Sequence, residues 1–154
     1  MPNIYDPIKV DDDYFPQHEA EQETFYQQLN VLPRNVADIL LIPETSETLE
    51  KISKENQLSA SQSQELSRLV RKITIADIYL GDIVKETQNK LSINEVSAKE
   101  LANVLISEIF YPVLEELKKL HIEKFGSPSH KATESETKKE GVNNPNNLVN
   151  LRNK

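Results

Sequence analysis

Apolar residues recur at helical spacing along most of the chain, from about Glu19 to Lys124. Ser59 and Gln62 stand three positions apart, as in a capping box, where each side chain satisfies a backbone N–H of the first helical turn. An i, i+3, i+4, i+7 stripe follows, formed by Leu66, Leu69, Val70 and Ile73. The pattern therefore predicts an amphipathic helix that begins after Ser59.

Proline and cap residues divide the rest of this region into further helices. Pro33 and Pro43 both precede apolar positions, and proline is favoured in the first turn of a helix, where its missing N–H costs little. The β-branched run at 73–75 predicts a break, and Gly81 weakens the next helix by about 1 kcal/mol relative to alanine. We expect helices at about 19–30, 33–42, 43–56, 59–73, 77–91 and 94–124.

The last of these helices has the strongest pattern, and either Ser92 or Asn94 is expected to cap it. Its apolar stripe consists of Val96, Leu101, Ala102, Leu105, Ile109, Val113, Leu117 and Leu120. Pro112 lies inside the helix, where it removes a backbone hydrogen bond, so a kink is expected near Ser107–Glu108. Unbroken, the helix would be about 46 Å long at 1.5 Å per residue, which is longer than a compact domain of this size needs, so part of it could either overhang or bind a partner.

Both ends of the chain lack helical periodicity. Residues 1–18 contain three prolines and the acidic run Asp11–Asp13, which predicts a flexible acidic arm. Residues 126–154 are polar and predict a disordered tail. The sequence thus predicts an all-α protein, a compact bundle of about five or six helices over residues 19–125, with a long kinked C-terminal helix and disordered tails.

Each end also carries a small apolar cluster that a partner could bind. In the arm, Tyr14 and Phe15 could dock in a hydrophobic groove on this or another molecule, although an unattached arm is the favoured interpretation. In the tail, a short motif or no function at all is expected for the cluster Leu148, Val149 and Leu151.

The charge of the chain argues against nucleic acid as a partner. Its formal net charge is -7, and residues 1–33 hold seven acids and one base. Arg68, Arg71 and Lys72 form the densest basic cluster on a helix, and a solvated helix face is favoured over a binding site there. A latch between Asp11–Asp13 and this cluster is a further hypothesis, because the charges are opposite.

The amino-acid composition argues against the common kinds of metal, nucleotide and catalytic site. The chain has no cysteine, three dispersed histidines and three isolated glycines, so neither a metal site, a phosphate loop nor a nucleophile elbow is expected. We predict no catalytic residues and no cofactor. No apolar run approaches the roughly 18 residues of a membrane span, and a cytoplasmic location is expected.

Several short segments between residues 32 and 121 resemble a group of small helical bacterial proteins to which no function is assigned. They are Leu32-Pro33, Pro43-Glu44-Thr45, the helix from Leu58 to Leu69, and Ile109-Phe110-Tyr111-Pro112-Val113 followed by Leu117, Leu120 and His121. The sequence departs from that group at 73–81, where those proteins have a clearer Gly or Pro break. The resemblance implies a helical domain with variable tails.

These observations favour a non-enzymatic interaction or adaptor protein that binds an unknown protein partner through a helix face or its tails. One alternative is an accessory factor that binds a nucleoprotein assembly through Arg68, Arg71 and Lys72 together with the slightly basic C-terminal tail. Another is an enzyme with an unrecognised site assembled from scattered helical acids and Lys or Tyr. A homo-oligomer remains open, since a second copy could cover the apolar stripe of the last helix.

Overall fold

The computed structural model describes residues 4–11 and 15–126, and within these ranges the chain is helical and without strands. The prediction of an all-α fold is therefore confirmed. The α-helices are α1 (Glu19–Asn30), α2 (Arg34–Leu41), α3 (Pro43–Glu55), α4 (Ala60–Thr74), α5 (Ile83–Leu91), α6 (Glu95–Leu105) and α7 (Leu114–Phe125). The predicted disordered tail lies outside the described residues, apart from Gly126.

Helix α4 begins at the predicted capping box. The Ser59 hydroxyl accepts a hydrogen bond from the Gln62 backbone N–H at 3.1 Å, and the Gln62 side-chain oxygen accepts one from the Ser59 N–H at 2.9 Å. Its apolar stripe is buried, and α4 contacts α2, α3 and α5. The helix ends at Thr74, so the predicted break after the β-branched run is confirmed.

The predicted helix at 77–91 is wrong in its first turns. Ala76 adopts a left-handed conformation with φ 63°, and Leu80–Asp82 forms a short 3-10 turn before α5 begins at Ile83. Gly81 lies in that turn, where the ring of Tyr79 occupies the space that a Cβ would need. Ser92 is also left-handed, with φ 57°, and closes α5.

The next helix, α6, is capped by Asn94, one of the two cap residues that the sequence predicted. The Asn94 side-chain oxygen accepts a hydrogen bond from the Ser97 backbone N–H at 2.8 Å. Val96 was placed in the apolar stripe but is 67% exposed, because it lies in the first turn on the outer side of α6. Within the same stripe Leu101, Ala102 and Leu105 are buried as predicted.

The predicted irregularity in the long C-terminal helix is confirmed. The helical stretch from Glu95 to Phe125 changes to a π-helix at Ile106–Phe110 and to a 3-10 turn at Tyr111–Val113 before α7 begins. Pro112 lies in the first turn of the 3-10 segment, where it lacks the N–H that a continuous α-helix would use. The wider π turn thus precedes the proline at the predicted position.

The chain divides into two units after Lys119, and each is described by itself. The first holds α1 to α6, the π-helix and the start of α7, and its largest fully buried side chains include Phe110, Leu49, Ile52 and Leu66. In the described part of the second, Leu120–Gly126, the ring of His121 is buried and lies 5.5 Å from that of Phe125. His121 therefore packs beside an aromatic ring.

Candidate functional site

The N-terminal segment, residues 4–11 and 15–17, packs against α4 and α1, and Arg71 of α4 contacts both of its parts. The guanidinium of Arg71 lies 2.7 Å from a carboxylate oxygen of Asp11, and it donates a hydrogen bond to the backbone carbonyl of Pro7 at 3.2 Å. It also lies 5.6 Å from the ring centroids of both Phe15 and Phe25, which stack on each other at 6.1 Å. Arg71 thus joins a carboxylate, a carbonyl and two rings.

Arg68 completes the site one helical turn before Arg71. Its guanidinium lies 2.8 Å from the other carboxylate oxygen of Asp11 and 2.7 Å from Glu65. The side chain of Asp11 is only 8% exposed and that of Arg68 is 30% exposed. Asp11 is therefore a buried acid with two arginine partners, an arrangement that compensates the cost of taking its charge out of water.

Both described parts of the predicted arm, residues 4–11 and 15–17, are attached to the helices. Val10 and Phe15 are buried, and the Ser67 hydroxyl donates a hydrogen bond to the Ile4 carbonyl at 2.6 Å. The expectation of an unattached flexible arm is wrong for residues 4–11 and 15–17, because burial and ion pairs on α4 outweigh its unfavourable composition. The latch hypothesis is confirmed for Asp11, whereas Asp12 and Asp13 lie outside the described residues.

The structure brings some of the predicted partner-binding residues together, and others lie outside the residues that it describes. Phe15, Arg68 and Arg71 come together with Lys72 around one cleft, and the solvated helix face expected for the basic cluster is wrong for the buried Arg71. Tyr14 and the tail residues Leu148, Val149 and Leu151 lie outside the described part of the chain. Sequence reasoning missed Phe25 as the second ring against Arg71.

The space beside these residues is an open cleft of about 520 Å³, which we call the arginine cleft. Asp11, Phe15 and Arg71 form one side of it, α1 contributes Phe25 and Gln28, and further lining comes from Arg68, Lys72, Ile75 and Asp77. Gln28 donates a hydrogen bond to Asp77 at 2.8 Å, which ties α1 to the turn after α4. The lining of the cleft thus combines the apolar side chains of Phe15, Phe25 and Ile75 with several charged side chains.

The shifted pKa values in the cleft are those of a structural ion pair. Burial alone raises the pKa of the Asp11 carboxyl, but hydrogen bonds from Arg68 and Arg71 and their charges outweigh it and hold the pKa below its ordinary value of 3.8. Burial lowers the pKa of Arg68, yet Asp11 and Glu65 leave it raised. Both shifts move away from neutral pH, whereas a general acid or base usually has a pKa near the working pH.

Acid is expected to weaken the fold through Asp11. A depressed pKa in the folded state adds stability above the unfolded-state pKa, and this contribution disappears as the pH falls from the ordinary value of 3.8 through the lower folded pKa. Urea midpoints measured across that range should fall more steeply for the wild type than for Asp11→Asn. Glu47→Gln, which changes an exposed acid, is the control. If the urea midpoint of Asp11→Asn fell with pH as steeply as that of the wild type, Asp11 would not be the acid responsible.

A second concave surface lies between α2, the start of α3 and the segment around Pro112. It has a volume of about 310 Å³ and a largely apolar floor, to which Ile39, Ile42, Ile109, Pro112 and Val113 contribute. Its rim carries the acids Asp38, Glu44 and Glu108. We call this surface the acid-rimmed groove.

The acids of the groove are only weakly compensated. Asp38 pairs with the exposed Arg34 at 3.4 Å, and Glu108 pairs with Lys51 at 3.7 Å, contacts that contribute little at a surface. Within the described residues Glu44 has no ion pair. Sequence reasoning missed this groove. The one signal in the sequence was Pro112 inside a helical pattern, which indicated an irregular helix there. The structure has a π segment at this place, and such segments often mark functional sites.

Other kinds of site are not seen in the described ranges. Among residues 4–11 and 15–126, His, Asp and Glu side chains do not gather in groups of three or more that could hold a metal ion. None of the helices there has the length and apolar content needed to span a bilayer.

The chain was also compared with known proteins. Neither a family model, nor a curated protein, nor a solved structure matches it.

Proposed function

We propose that this chain is a non-enzymatic protein-interaction module that binds a partner segment in the acid-rimmed groove. The apolar floor and acidic rim carry the proposal. The floor would bury apolar side chains of the partner, and the rim favours Lys or Arg beside them. The partner is therefore a short apolar segment flanked by basic residues.

Size and exposure fit a peptide rather than a large interface. The groove of about 310 Å³ is at the lower end of the ~300–1,000 Å³ typical of ligand pockets, which suits a few side chains. Ile42, which contributes to the floor of the groove, is 40% exposed. This apolar surface would lose contact with water on binding, which supplies affinity at about 25 cal/mol per Å² before the costs of association.

The arginine cleft favours this proposal over a nucleoprotein partner. Asp11 already neutralises the guanidinium groups of Arg68 and Arg71, and Arg71 is buried, so a phosphate would first have to displace the N-terminal segment. Lys72 alone of the three carries no ion pair within the described part of the chain.

A change of Ile42 to aspartate should abolish binding in the groove. Ile42 is the N-cap residue of α3, where aspartate is favourable, so the variant should fold while placing a charge on the apolar floor. Peptides selected from a random library on the full chain should be rich in apolar and basic residues. We expect Ile42→Asp to weaken their binding by at least about tenfold, or 1.4 kcal/mol.

The matched control is Val96→Asp, which makes the same kind of change at an exposed apolar residue in the first turn of α6. It should bind the selected peptides like the wild type. Equal binding by wild type and Ile42→Asp, or a library that yields acidic peptides, would rule out the groove as the site.

A further inference from the structure

The N-terminal segment is held on α4 in the manner of a bound peptide. Its regular structure consists of two three-residue 3-10 turns, Lys9–Asp11 and Phe15–Gln17, and is not an α-helix. Two side chains of α4 donate hydrogen bonds to its backbone. Ser67 donates one to the carbonyl of Ile4, and Arg71 donates one to the carbonyl of Pro7. Hydrogen bonds to backbone carbonyls do not depend on the side chains of the segment, so they supply affinity without sequence specificity.

Two side chains of the segment supply the selectivity. Asp11 is paired with Arg68 and Arg71, and Phe15, four positions later, stacks on Phe25 beside Arg71. Planar guanidinium groups recognise carboxylates and aromatic faces better than lysine would. The surface of α4 and α1 under the segment is thus complementary to an acid followed by an aromatic residue.

We propose that the N-terminal segment is an intramolecular ligand, and that the arginine cleft binds in trans a partner segment with an acid and, four positions later, an aromatic residue. The incoming segment takes the place of Asp11 and Phe15. This site is separate from the acid-rimmed groove, so the proposal does not depend on the function assigned to that groove.

The open part of the arginine cleft gives an incoming segment a way in. About 520 Å³ of space adjoins Arg68, whose side chain is 30% exposed, so a carboxylate of the incoming segment can approach this guanidinium beside Asp11 and Glu65 before Asp11 has left. The segment on the same chain competes at a high effective concentration, which lowers the apparent affinity of any partner. Weakening the internal segment must therefore strengthen binding in trans.

A labelled peptide of residues 3–17 tests the proposal by fluorescence polarisation. The probe is titrated into the full-length wild type and into the full-length double variant Asp11→Asn/Phe15→Ala. We expect the double variant to bind at least about tenfold more tightly, because its own segment competes less. A control peptide with asparagine at positions 11–13 and alanine at 15 should lose at least about tenfold in affinity for both proteins.

Failure to see this difference would overturn the proposal. Glu47→Gln, an exposed acid on α3, is the control protein and should bind the probe like the wild type. Hydrogen exchange on the wild type gives an answer even if the double variant does not fold. The Val10 N–H, bonded to the Asp6 carbonyl at 2.9 Å, should exchange at least about 100-fold faster than amides in the middle of α4. Equal rates would mean that the segment leaves only on global unfolding.

Discussion

Replacing Arg71 with alanine is expected to lower the free energy of unfolding by about 3 kcal/mol. The change leaves Asp11 with Arg68 as its remaining arginine partner and removes the group that lies against the rings of Phe15 and Phe25. Losing one partner of a buried ion pair costs about 3–5 kcal/mol, and the remaining arginine places this case at the lower end. Urea denaturation followed by circular dichroism measures the loss.

Two further variants separate the charge of Arg71 from its shape. Arg71→Lys keeps the charge but loses the planar fork, so its stability should lie between those of the wild type and Arg71→Ala. Arg34→Ala is the matched control, because Arg34 is 91% exposed and its pair with Asp38 lies at the surface. The urea midpoint of this control should stay near that of the wild type. Similar midpoints for Arg71→Ala and Arg34→Ala would contradict the role given to Arg71.

Replacing Phe110 with alanine is expected to cost about 3–5 kcal/mol. Phe110 is fully buried, with 0% exposure, and ends the π-helix between Ile109 and the 3-10 turn. Truncation removes apolar contacts and leaves a cavity that the surrounding helices fill only in part. Because Ile109 and Val113 line the acid-rimmed groove on either side of this residue, peptide binding there should weaken as well.

The adjacent Tyr111 supplies the control for this prediction. Tyr111 is 71% exposed, so Tyr111→Ala should change the free energy of unfolding by less than about 0.5 kcal/mol. Thermal and urea unfolding of both variants measure the difference. Equal losses at the two positions would mean that the π segment does not pack as described.

The helices could be predicted because their signals are local. The Ser59–Gln62 box and Pro43 act within a single turn, and the structure places α4 and α3 where these residues indicate. The start of α5 could not be predicted, since the left-handed Ala76 and the contact of Tyr79 with Gly81 depend on how the turn folds. Spacing alone also could not show that Val96 faces outward at 67% exposure.

The N-terminal segment shows the limit of composition as a guide. Prolines and acids predict a free arm, yet Asp11 lies 57 positions before Arg68 and binds it. Such a contact rests on pairing between distant residues, for which sequence periodicity gives no signal. Opposite charge did suggest the latch, but the second ring, Phe25, and the carbonyl contacts from Ser67 and Arg71 needed the folded chain.

Methyl NMR of the full chain with a library-selected peptide tests most directly whether a partner segment binds in the acid-rimmed groove. We expect shifts concentrated at Ile39, Ile42, Ile109 and Val113, which line the groove, with the core methyls of Leu66 unmoved. Shifts concentrated elsewhere, or no shift at these four residues with a peptide that binds, would contradict the claim.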